Sequence, residues 1–171
     1  MENQPGVILI GMPGAGKSTL GIQLAKELGF DFVDTDVSIQ VHTGQTLQDI
    51  IDSSDYLNLR RIEEAVLLKT DCHDMVVATG GSAVYSDPGM NHLKEQGTVV
   101  FLDTPLEELR RRIHNYDSRG IARRPDQTLE DVFAERQALY EKYADITVLC
   151  DGLDQHQALE SITKQLAARS S

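Results

Sequence analysis

The sequence predicts an α/β protein built as a three-layer α/β/α structure, with a five-stranded parallel sheet between two layers of helices. Short apolar runs of strand length alternate along the chain with longer stretches of helical period. Each helical stretch is long enough to form the crossover that two parallel strands require, which is about a dozen residues or more. No proline- or serine-rich linker divides the 171 residues, so we expect a single domain over residues 1–171.

The predicted elements follow one another in a regular order. The strands are residues 7–10, 31–34, 75–78, 98–102 and 146–149. The helices are residues 20–28, 88–97, 105–113, 130–143 and 159–166. A further helical stretch over residues 37–69, interrupted at Gly44, is longer than a crossover needs. We therefore expect a substrate-binding helical region over about 37–70.

The composition is acidic, with 16 Lys and Arg residues against 27 Asp and Glu residues and a formal net charge of −11. This sign of charge disfavours nonspecific binding to nucleic acid and to anionic membranes, so we expect neither as a partner. Cys72 and Cys150 lack a C-x-x-C spacing and are interpreted as small apolar residues of a reduced protein. With no secretory leader and no long apolar run in the sequence, we expect a cytoplasmic protein.

A glycine-rich segment lies between the first predicted strand and the first predicted helix. Its residues, Gly11-Met12-Pro13-Gly14-Ala15-Gly16-Lys17-Ser18-Thr19, fit the phosphate-binding pattern G-x-x-x-x-G-K-[ST]. Glycine permits positive φ and a close approach of the backbone to an anion. Lys17 offers a charge to the terminal phosphates, and Ser18 offers a hydroxyl to Mg²⁺. The alternative is a glycine-rich turn that binds nothing, which the flanking strand and helix disfavour.

Two carboxylates stand at the end of the second predicted strand. Ligands of open α/β sheets bind beyond the carboxyl ends of the strands, so we expect Asp34 and Asp36 to face the same crevice as the phosphate loop. If the backbone stays extended, both side chains project to one side. The alternative is that one of them caps the following helix, for which Asp36 is favoured over Asp34.

Three further segments contain candidate binding residues. The charges of Arg60-Arg61-Ile62-Glu63-Glu64 have i,i+3 and i,i+4 spacings, which by themselves favour salt bridges on a solvated helix face. The turn Thr79-Gly80-Gly81-Ser82 follows the third strand, and its small residues allow a ligand close to the backbone. The segment over about 114–127 has several arginines between glycine and proline, which indicates a mobile lid over phosphates, with a merely solvated loop as the alternative.

Together and in this order, five segments resemble those of the shikimate kinase family, within the nucleoside monophosphate kinase-like group of P-loop NTPases. They are the phosphate loop, Asp34-Thr35-Asp36, Leu59-Arg60-Arg61-Ile62-Glu63-Glu64, Thr79-Gly80-Gly81-Ser82 and Arg136-Gln137-Ala138-Leu139-Tyr140. The last four are similar to the family's Asp-x-Asp, Phe-Arg-x-x-Glu, Gly-Gly-Gly and Arg-x-x-Leu-Tyr segments. The resemblance covers most of the chain.

The resemblance implies an ATP- and Mg²⁺-dependent kinase that moves the γ-phosphate to a hydroxyl of shikimate, in aromatic amino acid biosynthesis, and we expect it to act as a monomer. It implies that Ser18 and Asp34 hold the metal and that Glu63 orients Arg60. The implied catalytic residues are Lys17, Asp36 and Arg124. The implied ATP contacts are Gly14, Ala15, Gly16, Lys17, Ser18, Thr19 and Arg124. The implied acceptor contacts are Asp36, Arg60, Gly80, Gly81, Ser82 and Arg136.

The sequence also departs from the family pattern. Ser82 stands where the family has a third glycine, and the lid is not laid out as in typical members. Arg124 precedes a proline, as the family's lid arginine does, while Arg119 and Arg123 remain alternatives. These departures leave open a kinase of another small hydroxy acid or polyol such as gluconate, or a nucleotide-binding module without transfer activity.

Overall fold

The computed structural model of this chain describes residues 2–170. Its strands are β1 Gly6–Ile10, β2 Asp31–Asp34, β3 Met75–Ala78, β4 Gly97–Asp103 and β5 Ile146–Leu149. They form one five-stranded sheet in the order β2-β3-β1-β4-β5, and every neighbouring pair is parallel. The predicted parallel sheet is therefore confirmed, and β1 lies at its centre.

Eight α-helices connect and cover these strands in the described part of the chain. They are α1 Lys17–Leu28, α2 Thr35–Thr43, α3 Leu47–Ser53, α4 Tyr56–Leu68, α5 Asp87–Gln96, α6 Leu106–Arg112, α7 Leu129–Tyr143 and α8 Gln155–Ser170. Two short 3₁₀ turns, Ala83–Tyr85 and Tyr116–Ser118, were not predicted. The predicted bounds of most elements differ from these by a few residues at their ends, and α8 is much longer than predicted.

Alternate residues of β1 point to opposite faces of the sheet, as the period of a strand requires. Ile8 and Ile10 belong to a core cluster with residues of α4, α5, α6 and α7. Val7 and Leu9 belong to a second cluster with residues of α1 and α8. Both faces are therefore covered, which confirms the predicted three layers. No helix within residues 2–170 combines the length and apolar composition that crossing a membrane requires.

The predicted helical stretch over 37–69 is divided into three helices. Gly44 ends α2 with a φ of 68°, at the predicted interruption. A second break before α4 was not predicted; there Asp55 accepts a hydrogen bond from the amide of Asn58 and caps the new helix. Buried residues from all three helices pack together with Ala122 from the segment between α6 and α7. The three helices and that segment thus enclose one side of the crevice.

The carboxyl ends of the three strands β1, β2 and β3 meet at this crevice. The phosphate-loop segment follows β1, Asp34 ends β2, and Thr79 follows β3. Thr79 ties the turn after β3 to the end of β1, because both its amide and its hydroxyl donate to the carbonyl of Leu9, at 3.1 and 2.9 Å. The sheet therefore brings the polar turns of three strands to one place.

Candidate active site

The glycine-rich segment forms a tight loop at the start of α1. Gly11, Gly14 and Gly16 have φ values of 150°, 87° and 92°, which L-residues with a Cβ rarely adopt. A Cβ on Gly11 would lie 2.8 Å from the carbonyl oxygen of Leu102. Gly16 precedes α1 and has no side chain with which to cap it, so the amides of the first turn are available to an anion. The loop therefore has the backbone of a phosphate cradle.

The side chain of Lys17 is folded back over this loop. Its Nζ donates to the carbonyl oxygens of Gly11 at 2.5 Å and Met12 at 2.9 Å. Burial lowers the pKa of Lys17 to about 8, while nearby Asp36 opposes that change. The ammonium is thus held inside the site by oxygens that a phosphate oxygen can replace.

Ser18 and Asp34 are direct partners across the crevice. Ser18 Oγ donates to Asp34 Oδ2 at 2.5 Å. The other oxygen of Asp34 accepts from the amides of Asp36 at 2.9 Å and Val37 at 3.4 Å. Asp34, rather than Asp36, therefore caps α2, because its own backbone is extended where the helix begins. Asp36 is left free to face the pocket.

The pair formed by Ser18 and Asp34 fits a magnesium ion that is bound together with a nucleotide. Within residues 2–170 no group of three or more His, Cys, Asp or Glu side chains is arranged to hold a metal ion. Mg²⁺ commonly takes only one or two protein ligands and completes its shell with phosphate oxygens and water. One hydroxyl and one carboxylate beside a phosphate loop match that requirement.

Two carboxylates, Asp36 and Glu63, converge in front of Gly80. A Cβ on Gly80 would collide with Glu63 Oε2 and lie 2.5 Å from Asp36 Oδ1. Burial and the charge of Asp34 raise the pKa of Asp36 to about 6. Burial and the charge of Asp36 raise the pKa of Glu63 to about 7. The pocket thus contains two acceptors of hydrogen bonds at a position that only glycine leaves open.

Glu63 is held by Ser82 rather than by Arg60. Ser82 Oγ donates to Glu63 Oε1 at 2.5 Å, and both side chains are buried. Among residues 2–170 no hydrogen bond or ion pair joins Glu63 to Arg60, so the expectation that Glu63 orients Arg60 is wrong. The reason is the serine in the turn, which provides a donor that a third glycine would lack.

Arg60 from α4 and Arg136 from α7 meet at one carbonyl oxygen. Arg60 Nη2 and Arg136 Nη2 donate to Ala122 O at 3.3 and 3.0 Å. Arg136 is 1% exposed, and the Nε atoms of both arginines are buried without a hydrogen-bond partner in the described part of the chain. The surface ion pairs that helical spacing favoured for Arg60 are absent among the described residues, since its guanidinium instead packs against the rings of Tyr56 and Tyr85.

The segment between α6 and α7 brings Arg119 to the pocket and leaves Arg124 outside it. Arg119 lines the pocket together with Asp36, Glu63 and Arg136. Arg124, which the proline pattern favoured, is exposed and donates to Glu135 at 3.2 Å. The cause is a turn at Gly120, whose φ of 79° directs the chain inwards so that the two following residues are buried.

Arg123 also points away from the pocket. It pairs with Asp117 at 2.8 Å and stacks over Tyr116. Of the three arginines that the sequence left open in this segment, the structure therefore brings only Arg119 to the two carboxylates.

A second pocket adjoins the phosphate loop on its other side. Gly14, Gly16, Arg112, Cys150 and Leu153 are among its lining residues. Arg112 Nη1 donates to Gly14 O at 3.1 Å. Nothing in the local sequence singles out Arg112 from its neighbours in α6, and only the fold brings it to the loop. A nucleotide whose phosphates lie in the loop has room for its base here.

Known proteins provide an independent comparison. The family model described as shikimate kinase matches residues 13–167. A shikimate kinase of Haemophilus influenzae is 37% identical over 155 residues, covering 88% of this chain and 86% of the relative. One from Vibrio campbellii is 36% identical over 172 residues, covering 99% of this chain and all of the relative.

Solved structures agree. The shikimate kinase from Acinetobacter baumannii in complex with shikimate has 31% identity and a TM-score of 0.88, covering 97% of this chain and 94% of that one. The shikimate kinase from Aquifex aeolicus has 29% identity and a TM-score of 0.80, covering 96% of this chain and 97% of that one. A sugar kinase at 16% identity, with a TM-score of 0.62, is similar in fold alone. By the matched family model and these relatives, the chain belongs to the shikimate kinase family.

Proposed function

We propose that this protein transfers the γ-phosphate of ATP to a hydroxyl of shikimate and forms shikimate 3-phosphate. The observation that carries the proposal is one pocket, beside a phosphate loop, that is lined by two converging carboxylates and by Arg136. Arg60 lies beside it and donates to the same carbonyl oxygen as Arg136. A small acid with several hydroxyls carries the complementary groups. The family relationship supports the same reaction.

Arg60 and Arg136 are proposed to bind the carboxylate of the acceptor. A planar guanidinium recognises a carboxylate through two parallel hydrogen bonds, which fixes orientation as well as position. Both side chains donate to the same oxygen, Ala122 O, so their donors already point at one location. The backbone of Gly81 lies beside them, since a Cβ there would be 2.7 Å from Arg136 Nη1.

Asp36 is proposed to accept a hydrogen bond from the hydroxyl that attacks ATP. With its pKa raised to about 6 by burial and Asp34, this carboxylate is mostly ionised at neutral pH and still basic enough to receive a proton. Glu63 and Gly80 would hold the neighbouring hydroxyl. Phosphoryl transfer depends mainly on such positioning and on neutralising charge at the phosphoryl oxygens.

Residues 14–19 are proposed to bind the phosphates of ATP, and Ser18 and Asp34 to hold Mg²⁺. When bound, this ion neutralises phosphate charge and orients the transferring group. Lys17 and Arg119 are cations whose charges act on Asp36, and they are proposed to stabilise the charge that develops during transfer. To stabilise that charge, Arg124 would first have to break its ion pair with Glu135. We therefore assign this role to Arg119.

The helical region of about 37–70 would form the acceptor side of the site, and the segment of about 114–127 would act as its lid, because Ala122 already lies over both arginines. All proposed contacts come from one chain, so the site needs no residue of a partner, and we propose that the protein acts as a monomer. Two free, buried cysteines support a reducing location such as the cytoplasm.

A coupled assay of ADP release tests the reaction against its alternatives. Purified protein with Mg·ATP would be offered shikimate and gluconate separately, with the Lys17→Ala variant as background. We expect ADP release to depend on shikimate and to exceed the rate with gluconate by orders of magnitude. Faster turnover with gluconate would assign a different acceptor, and ATP binding without turnover of either acid would indicate a module without transfer activity.

A further inference from the structure

Arg60 and Arg136, which share the carbonyl oxygen of Ala122, have no carboxylate partner in the described part of the chain. Within residues 2–170 neither Arg60 nor Arg136 forms an ion pair, although eleven such pairs occur elsewhere. A buried charge without a counterion is costly unless another group stabilises it. The shared carbonyl oxygen of Ala122 compensates only in part, because each Nε stays without a partner. Some other feature must keep two like charges close together.

That feature is an aromatic ring. The Cζ atom of Arg60 lies 3.6 Å from the centroid of the Tyr85 ring, and the Cζ atom of Arg136 lies 5.4 Å from the same centroid. Tyr56 provides a second ring for Arg60, at 5.0 Å. The face of an aromatic ring carries negative potential and attracts a guanidinium, most strongly where water is excluded. Tyr85 therefore contacts both arginines and lies closest to Arg60.

Tyr85 is itself fixed in place at both ends. It closes the 3₁₀ turn Ala83–Tyr85, which directly follows Ser82 of the turn after β3. Its hydroxyl donates to Glu135 Oε1 at 2.7 Å. The other oxygen of Glu135 accepts from Gln127 at 2.9 Å and Arg124 at 3.2 Å. Glu135, the acid next to Arg136 in sequence, is thereby occupied and does not pair with Arg60 or Arg136.

We propose that Tyr85 is a positioning residue through which Arg60 selects acceptors that carry a carboxylate, an inference that rests on the proposed function. A ring stacked on the guanidinium stabilises its face and leaves the N–H donors at its edge free. A carboxylate in the same position would occupy those donors and would compete with the carboxylate of the acceptor. Stacking thus orders Arg60 while only its Nη2 is engaged, by Ala122 O, and its Nε has no partner within residues 2–170.

Two substitutions separate the ring from its hydroxyl. Tyr85→Leu removes the ring, while Tyr85→Phe keeps it and removes only the hydrogen bond to Glu135. We expect Tyr85→Leu to raise the KM for shikimate by about 10-fold, the size of a partly desolvated cation–π contact, with kcat and the KM for ATP within about 3-fold. Tyr85→Phe should stay within about 3-fold in all three constants. Equal KM values for shikimate in Tyr85→Leu and the wild type would overturn the inference.

A double-mutant cycle shows whether Tyr85 acts through Arg60. In an Arg60→Ala background, Tyr85→Leu should change the KM for shikimate by less than about 2-fold, because the group that the ring positions is already gone. A full 10-fold effect in that background would show that the ring acts in another way and would overturn the proposal. Circular dichroism checks that each variant is folded, and Tyr85→Met replaces Tyr85→Leu if the latter does not fold.

A measurement without ligand separates this inference from the proposed function. In the free protein, the ring of Tyr85 should shift the NMR signal of the Arg60 Nε–H group upfield, and the shift should persist in Tyr85→Phe and vanish in Tyr85→Leu. An unchanged signal in Tyr85→Leu would overturn the stack. If the wild type fails to phosphorylate shikimate while the signal behaves as expected, the proposed acceptor is wrong and the stacked arginine stands.

Discussion

Ser82 Oγ donates a hydrogen bond of 2.5 Å to Glu63 Oε1, and these two side chains are 8% and 3% exposed. Ser82 stands in the turn after β3, at the position where the family pattern has a third glycine. Its hydroxyl fixes one oxygen of Glu63, so that the other oxygen lies against Gly80 in the pocket. The serine thus supplies Glu63 with a hydrogen-bond donor that a glycine at this position would lack.

Removing this donor should change the pH dependence of acceptor use. The pKa of Glu63 is raised to about 7 by burial and by Asp36, while the hydrogen bond from Ser82 lowers it. Ser82→Ala should therefore raise this pKa further, and the acid limb of kcat/KM for shikimate should move up by about 0.5 to 1 pH unit, which corresponds to about 1 kcal/mol. Steady-state rates between pH 5 and 9 give the midpoint of this acid limb in both proteins.

The pair formed by Ser86 and Glu64 is the matched control. Ser86 Oγ donates to Glu64 Oε2 at 2.5 Å, away from the pocket, and also accepts from the amide of Gly89 at the start of α5. Ser86→Ala should lower the free energy of unfolding by about 1 kcal/mol through loss of a helix cap, yet leave the pH profile in place. Equal profiles for Ser82→Ala and Ser86→Ala would contradict the role of Ser82.

Replacing the carboxylate of Glu63 should stabilise the fold while impairing function. Because its pKa is raised from 4.5 to about 7, Glu63 contributes stability that is present below pH 4.5 and lost as the pH rises through 7. Glu63→Gln should thus increase the free energy of unfolding at pH 8 by about 1–3 kcal/mol, with a much smaller gain at pH 5. Urea denaturation at both pH values measures this. A destabilised variant at pH 8 would contradict it.

The two candidate lid arginines should differ in their effect on turnover. Arg119→Ala should lower kcat by about 100- to 1,000-fold, the usual loss when a group that stabilises developing charge is removed. Arg124→Ala should stay within about 3-fold, because its pair with Glu135 is exposed and such pairs contribute little. Both rates are measured at saturating ATP and shikimate. A larger loss of kcat in Arg124→Ala than in Arg119→Ala would contradict this assignment and favour Arg124, the residue that precedes the proline.

Lys17 should matter for turnover far more than for folding. Lys17→Ala should reduce kcat by about 1,000-fold or more, since we propose that this charge acts on the terminal phosphates. Burial lowers the pKa of Lys17 to about 8, so the folded protein carries a cost for this charge and its removal should leave the thermal midpoint little changed. Lys26→Ala on the exposed face of α1 is the control and should leave kcat unchanged. Near-normal turnover in Lys17→Ala would refute the assignment.

The sequence was sufficient to predict those elements that are determined by residues close together in the chain. The apolar runs of β3 and β5 and the glycines of the phosphate loop determine structure through neighbours in the chain, and their positions were predicted. The break before α4 had a local signal too, in Ser54 and the capping Asp55, although the helical period on both sides concealed it.

Features that depend on tertiary contacts could not be predicted in this way. The partner of Glu63 depends on a hydroxyl 19 residues away. Arg119 lines the pocket next to the turn at Gly120, whereas the proline after Arg124 suggested that Arg124 would. The ring of Tyr85 contacts arginines from two separate helices. In each case the sequence contains the residue but does not indicate which distant residue it contacts. That contact determines its role.

The most direct test is to follow the phosphorus of ATP. Wild-type protein, Mg·ATP and shikimate would be mixed in equal amounts and monitored by ³¹P NMR, with a sample lacking shikimate alongside. We expect the γ-phosphate signal to be replaced by that of a phosphate monoester on one ring carbon of shikimate, with ADP formed in equal amount. Formation of inorganic phosphate alone, or an unchanged spectrum, would contradict the proposed transfer.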